Sequence, residues 1–185
     1  AQSFDGTPIE ASAQKSQLLD VCLKNQITPL DLAKTNFVKK TQGNFNFEIS
    51  EEVFNSDLII NLPILKLDSK LGVRGATENT LKFLKKESYL SLQYLSSLEE
   101  MMEGLQGVLP NSLTIADAHS IQKKDGLVAF LGLVLASFNP LNLDRVFAEI
   151  TMLEGLPEYL KNIKIEDIPI IGRKVEEVQY EVEKT

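Results

Sequence analysis

The chain has 185 residues, 43% hydrophobic and 24% charged, an ordinary globular composition that suffices to bury one sizeable core. Its 26 acidic residues outnumber the 19 lysines and arginines, so the net charge of -7 repels a phosphate backbone and nucleic acid is not an expected partner. Cys22 is the only cysteine, which excludes an intrachain disulfide, a thiolate zinc site and an iron-sulfur cluster held by this chain alone.

The first ten residues and the apolar runs predict where the protein resides. Residues 1–10 carry neither the basic nor the apolar region of a cleavable signal. The longest nearly apolar run, residues 127–138, is shorter than the roughly 20 residues that a membrane-spanning helix needs. Together with the single cysteine, these features predict a cytoplasmic protein without a membrane partner.

The first third of the chain predicts a helix followed by a hairpin. Residues 11–25 place Leu18, Leu19, Cys22 and Leu23 at helical spacing, which is typical of an amphipathic helix. Residues 36–40 and 44–49 flank Thr41-Gln42-Gly43, and the second segment alternates apolar and polar residues. That pattern predicts a β-hairpin.

The middle of the chain predicts a buried strand and two helices. Residues 57–63 form a compact aliphatic run ended by proline, the pattern of a strand that is buried on both faces of a sheet. Residues 71–84 are expected to be helical. Residues 89–109 place leucines and Met102 on one stripe and predict a second helix.

The last part of the chain predicts short strands and a well-capped helix. Residues 112–116 form a short strand leading into a polar loop that ends at residue 126, and residues 127–137 supply one or two buried strands interrupted at Gly132. Asn139 and Pro140 start a helix that Gly155 can end. A short helix at 158–162 and a last strand at 168–171 follow.

This alternation favours a layered α/β fold with a mixed or parallel sheet, flanking helices and one β-hairpin. We expect a single domain over residues 1–185, with residues 1–10 and 174–185 extended or frayed.

Three segments resemble one known family. DLIINLPILKLDSKLGVRGATENTLKFL, residues 57–84, resembles the hallmark of the domain of unknown function 362 family: a strand ending in Asn-x-Pro, then Leu-Lys, Gly-Val, Gly-Ala and an Asn before an apolar helix. LVLASFNPLNLDRVFAEI, residues 133–150, resembles the family's strand, Asn/Asp-Pro turn and Asp-bearing helix. TIADAHS, residues 114–120, stands where the family has a strand ending in Asp.

The resemblance also implies two departures from the family. Where the family commonly continues Leu-Lys-Thr-His, this chain has Leu67 and Asp68, so a carboxylate replaces a histidine that could bind metal or move protons. Family members are often joined to ferredoxin-like cysteine modules, which this chain lacks, so redox chemistry is expected on a partner rather than here. The family's opening strand and glycine-rich region have no counterpart before Ala11, which suggests that the chain begins inside the usual domain.

The strongest candidate site follows the strand that ends at Pro63. Lys66, Asp68, Arg74 and Asn79 lie in the turn and helix after it, and ligands of open α/β sheets bind outside the carboxyl ends of strands. A carboxylate or phosphate ligand is therefore expected. The alternative is that Lys66, Lys70 and Arg74 form a solvated basic helix face. Lys66 and Asn79 match positions of the family.

Two later segments could complete that site. Asp117 and His119 are two residues apart and would share a face if the chain there is extended. His119 is the only histidine, the residue type that exchanges protons near neutral pH, but both residues are also typical of an exposed turn. Asp144 matches a family position, although a carboxylate in the first turn of a helix is favoured by the dipole alone.

Three functions remain open from the sequence. The first is a cleft for a small anionic ligand formed by the seven candidate residues, which are Lys66, Asp68, Arg74, Asn79, Asp117, His119 and Asp144. The second is a non-catalytic interaction module that docks on a ferredoxin-like or other redox partner. A large exposed apolar patch or a homodimer would support this function. The third is a metal-assisted enzyme that uses Asp68, Asp117 and His119. The resemblance identifies no cofactor for this chain.

Overall fold

A computed structural model of the chain describes Phe4, residues 7–123 and residues 125–180. Its helices are α1 (Ile9–Lys15), α2 (Leu18–Lys24), α3 (Glu52–Asn55), α4 (Ala76–Thr80), α5 (Lys86–Leu95), α6 (Leu98–Gln106), α7 (Pro140–Ile150), α8 (Glu158–Lys161) and α9 (Val175–Val178). Its strands are β1 (Phe37–Gln42), β2 (Phe45–Ser50), β3 (Ile59–Asn61), β4 (Ile64–Asp68), β5 (Gly72–Arg74), β6 (Ser112–Gln122) and β7 (Val128–Ser137). The predicted mixed α/β class is confirmed.

The N-terminal prediction is correct for the hairpin and wrong for the helix. Strands β1 and β2 pair antiparallel around Gly43, which adopts a positive φ of 55°. The single helix predicted at 11–25 is instead two helices, because Gln17 between them takes a left-handed conformation. Leu18 and Leu23 are consequently exposed, and Cys22 is half-buried.

The larger sheet is built around the long strand β6. Strands β3 and β4 follow one another along one side of β6, both parallel to it, with a break at Leu62 and Pro63. Strand β7 pairs antiparallel on the other side of β6, and β5 pairs antiparallel with β4. Strand β6 therefore extends to Gln122, and Asp117 and His119 lie within it rather than in the predicted loop.

The two faces of this sheet differ sharply. Alternate residues of a strand point to opposite faces. On the face we call the covered face, Leu65, Leu67, Ala116 and Ala118 are buried. They belong to one apolar cluster that also includes Phe47 of the hairpin and residues of α4, α6 and α7.

The opposite face, here called the open face, is exposed. It consists of side chains from β3 and β4, which lie end to end, from β6 and from β7. They are Ile60, Leu62, Ile64, Lys66, Leu113, Ile115, Asp117, His119, Val128, Phe130 and Val134. The sequence predicts a strand buried on both faces at residues 57–63 and buried strands at residues 127–137, and the structure contradicts both. Leu62 is 68% exposed and Phe130 72% exposed.

The remaining helices correct the prediction in detail. The helix predicted at 89–109 is two helices, α5 and α6, and Ser97 starts the second with a capping box closed by Glu100. Residues 72–74 form β5, whereas the start of a helix is predicted there. Asn139 caps α7 as predicted, since its side chain accepts the N–H groups of Leu141 and Asn142.

The C-terminal segment differs from its prediction as well. Residues 168–171 form no strand with the described residues, and α9 begins at Val175 where a frayed tail was expected. The extended or frayed ends predicted at 1–3, 5–6 and 181–185 lie outside the described residues. None of the helices in the described part of the chain combines the length and apolar character that a membrane crossing requires.

Candidate functional site

Asp68 and Arg74 form a charged network where β4 and β5 meet. The Asp68 Oδ1 atom accepts hydrogen bonds from the backbone N–H groups of Lys70 and Leu71, at 2.8 and 2.9 Å. Arg74 lies 3.6 Å from the Asp68 carboxylate and donates through Nε to Glu78 at 3.0 Å. The Arg74 charge is therefore shared between two carboxylates, which leaves it less available to an outside anion.

The same contacts set the ionisation of Asp68. Burial alone would raise its pKa, but the backbone N–H groups of Leu71 and Lys70 and the Arg74 guanidinium outweigh that effect and hold the pKa below its ordinary value. Asp68 is thus a carboxylate at neutral pH whose interactions are satisfied within the chain.

Although exposed itself, Asn79 is hydrogen-bonded to the buried amide of Asn61. Its Nδ2 atom donates to Oδ1 of Asn61 at 2.6 Å, and Nδ2 of Asn61 donates to the carbonyl of Ala76 at 3.0 Å and to the Thr114 hydroxyl at 3.3 Å. Asn61 is 4% exposed. This network joins the end of β3 to α4 and to β6, so Asn79 has a structural partner.

Asp144 lies in the core and holds the start of α4. The carboxylate is fully buried, and its two oxygens accept the N–H groups of Ala76 and Thr77, each at 2.8 Å. Burial raises the pKa of Asp144 to about 6, against hydrogen bonds from Thr77 and Ala76 that act to lower it. Asp144, a residue of α7, therefore caps the N-terminus of α4.

Lys66, Asp117 and His119 share the open face. Asp117 lies opposite Ile64 on one side and Val134 on the other, whereas a register shift places Lys66 opposite Gln122, further along β6. The Asp117 carboxylate accepts the His119 backbone N–H at 2.8 Å, and the imidazole lies edge-on to Phe130 at 6.4 Å between ring centroids. Lys66 forms no ion pair with any described residue.

The seven candidate residues are therefore not brought together as one cluster. Lys66, Asp117 and His119 lie on the open face, and Asp68 and Arg74 lie at its edge. Asn79 is bound to Asn61. Asp144 sits among the buried residues on the covered face, close to Leu65. The shared surface is flat strand rather than strand-end loop.

The polar residues of the open face line none of the described grooves. One groove of about 280 Å³ runs between β7, α7 and residues 168–173, and of the open-face residues only Val134 lines it. Another of about 340 Å³ is lined by four carboxylates, those of Asp68, Glu99, Glu154 and Glu158, against the two lysines Lys70 and Lys161, which disfavours an anion there. Within the described residues, no group of three or more His, Cys, Asp or Glu side chains could hold a metal ion.

Sequence reasoning missed the two features that the structure makes most prominent. Asn61 was noted only as part of the Asn-x-Pro pattern, although its low exposure and three hydrogen bonds make it central. The exposed apolar row was also missed. The sequence does contain a signal for this row, because residues 58–65 are apolar at both alternating sets of positions. The same pattern, however, equally predicts a strand that is buried on both faces within its own chain.

A comparison with family models gives one match. The model of the domain of unknown function family DUF362 matches residues 2–149, well over half of the chain. It spans all three segments whose motifs suggested this family, apart from the final residue of the last. Neither the curated proteins nor the solved structures gave a match. The chain therefore belongs to the DUF362 family.

Proposed function

We propose that this chain acts as a protein-interaction module whose open face docks on another protein chain. One observation carries the proposal: six large apolar side chains on a single sheet face are each more than half exposed. They are Ile60, Leu62, Ile64, Val128, Phe130 and Val134. Apolar surface is driven out of water on association, so a face of this kind gains free energy when another protein covers it.

The size of the face fits an interface better than ordinary surface. The largest apolar patch on a typical monomer is about 300–600 Å². A specific interface takes about 800 Å² from each partner. Six exposed and two half-buried apolar side chains, with Lys66, Asp117 and His119 among them, form a surface on the order of the second value.

The strand sequences support the same conclusion. Residues 58–65 are apolar on both alternating sets, apart from Asn61, whereas a strand with one solvated face normally alternates apolar and polar residues. The residues that point outward, such as Leu62 and Ile64, are as apolar as those that point inward. A sequence that avoids polar residues on an outer face is typical of a face that is buried in use.

The anionic ligand has less support. Arg74 is held by Asp68 and Glu78, so Lys66 is the cation left on this face, and the Asp117 carboxylate shares the face with it. A small anion would meet a flat surface of mixed charge. A metal-assisted reaction is less supported still, since the described residues offer no cluster of ligands. The docking module is therefore the function that the geometry favours.

The test places a photo-crosslinking residue on the open face in cells that make the protein. A benzoylphenylalanine at position 130 should give one discrete adduct, identified by mass spectrometry as a specific protein chain. The substitution Val134→Lys in the same chain should abolish that adduct, because a lysine in the middle of the face adds a charge that docking must desolvate. An adduct with a redox protein, as the family resemblance suggests, and an adduct with a second copy both support docking.

A matched substitution provides the control. Leu95 is 80% exposed at the end of α5 and lies off the open face, so Leu95→Lys should leave the adduct unchanged. If position 130 gives no discrete adduct, or if Val134→Lys and Leu95→Lys act alike, the open face is not a docking surface.

A further inference from the structure

We infer that the chain docked on the open face is a second copy of this chain, packed face to face about a two-fold axis. The inference rests on the proposed docking function and names its partner. Three observations carry it: the charge pattern of the face, the symmetry that this pattern permits, and the area available.

The charge pattern is self-complementary. Lys66 and Asp117 are the lysine and the carboxylate that lie among the apolar side chains of the open face. They lie on adjacent strands of this face, Asp117 opposite Ile64 and Lys66 opposite Gln122, which is five positions further along β6. They are not ion-paired with each other, and Lys66 has no ion-pair partner among the described residues. One cation and one anion that form no ion pair with the described residues, lying on a single face, match a second copy of that face.

Two-fold symmetry pairs these charges twice. In a two-fold interface, if one residue contacts a second, the second also contacts the first across the axis. An axis that lies between the two sheets and bisects the line from Lys66 to Asp117 therefore places Lys66 of each copy opposite Asp117 of the other. Two ion pairs form at once, and no charge on these two residues is left buried without a partner.

The charge of the open face itself does not oppose dimerisation, although the net charge of the whole chain does. Each copy carries a net charge of -7, so two copies repel at long range. On the face itself the charges of Lys66 and Asp117 cancel. If His119 is counted as neutral, the two surfaces that meet have no net formal charge. Sheets pack face to face about 10 Å apart with interdigitating side chains, and alternating large residues such as Ile64, Phe130 and Val134 suit that packing.

The area is sufficient. A stable dimer takes about 800 Å² from each subunit, and the open face offers a surface on the order of that value before any rim contact is counted. A second copy brings the same apolar area to the interface, so neither surface is left uncovered.

The experiment is a charge swap followed by analytical ultracentrifugation of the purified full chain. Wild type should sediment as a dimer at micromolar concentration. Lys66→Glu places two carboxylates together at both contacts, and Asp117→Lys places two ammonium groups together, so each should weaken dimerisation by about tenfold or more. The double variant restores opposite charges at both contacts and should return the dimer to near wild-type affinity.

The controls separate this inference from the docking function. Lys174→Glu makes the same charge change at an exposed residue off the face and should leave dimerisation unchanged. Circular dichroism confirms that each variant is folded. A wild-type monomer, or a double variant no stronger than the single variants, overturns the self-pairing. If position 130 still crosslinks to a different protein, docking survives and the second copy does not; if it crosslinks to nothing, both fail.

Discussion

The Asp144 carboxylate is packed directly against the backbone of Gly75. A Cβ atom on Gly75 would lie 2.8 Å from Asp144 Oδ1 and 2.4 Å from Cδ2 of Leu65. Gly75 immediately precedes α4, whose first two N–H groups bind the same carboxylate. The absence of a side chain at Gly75 is therefore what lets Asp144 reach the start of α4.

We expect Gly75→Ala to lower the free energy of unfolding by about 1–3 kcal/mol, the usual cost of overpacking a buried site. The added methyl group must push Leu65 or Asp144 away, and the hydrogen bonds to Ala76 and Thr77 lengthen with it. Urea denaturation followed by circular dichroism measures the change.

Gly107 supplies the comparison for that substitution. A Cβ atom there would meet only the side chain of Gln42, whose flexible end can move aside. Gly107→Ala should therefore cost clearly less than Gly75→Ala. Equal effects of the two substitutions would mean that the contact with Asp144 does not restrict Gly75.

Asp144 should make the stability of the protein depend on pH. Its pKa is about 6 in the folded chain and 3.8 for an ordinary aspartate, so between these values the folded state binds the extra proton. The free energy of unfolding then falls as pH rises through this window. The favourable contribution is complete below about pH 4 and is lost by about pH 7, with a size of about 3 kcal/mol.

The measurement compares wild type with Asp144→Asn by urea denaturation at several pH values. Asparagine does not titrate, so the variant lacks this pH dependence, although it offers one acceptor for two N–H groups. The stability of wild type relative to the variant should fall from pH 4.5 to pH 7.5. Parallel curves would show that Asp144 does not titrate in this window. Glu78 and Tyr159 lie near this carboxyl, and both proteins retain them.

The local features of this fold could be predicted from the sequence, whereas the long-range ones could not. The hairpin at Gly43 and the start of α7 at Asn139 depend on turn and capping preferences of residues that are neighbours in the sequence. Asp144 was interpreted as a residue of the first turn of its own helix. It binds instead the backbone of Ala76, 68 positions earlier, and no local pattern encodes that contact.

The extent of the strands was mispredicted for a related reason. The sequence predicts an exposed turn at Asp117 and His119, because both residue types are typical of one. They continue β6 because β4 and β7 pair with it on either side, and the open face tolerates polar residues. The sequence thus named three residues that share the open face, Lys66, Asp117 and His119, but not the strands that carry them, and their role as a site stays a prediction.

Truncating a side chain on β4 should destabilise the protein strongly on the covered face and only slightly on the open face. Leu65 is fully buried, so Leu65→Ala should lower the free energy of unfolding by about 2–5 kcal/mol. Ile64 next to it is 71% exposed, so Ile64→Ala should cost well under about 1 kcal/mol in a monomer. Denaturation in a Lys66→Glu background, which removes the contribution of association, measures both. A large effect of Ile64→Ala there would mean that the chain itself covers the open face.

Asn61 should contribute more to stability than the more conspicuous Arg74 network. Asn61→Ala removes three hydrogen bonds at a buried site and leaves the Ala76 carbonyl and the Thr114 hydroxyl without that partner, at a cost of about 2–3 kcal/mol. Arg74→Gln breaks ion pairs that are partly exposed and screened by solvent, which are worth at most about 1 kcal/mol. Thermal and urea denaturation should therefore rank Asn61→Ala below Arg74→Gln in stability, and added salt should reduce only the Arg74 effect. The reverse order would show that the charged network contributes more to stability than the buried amide.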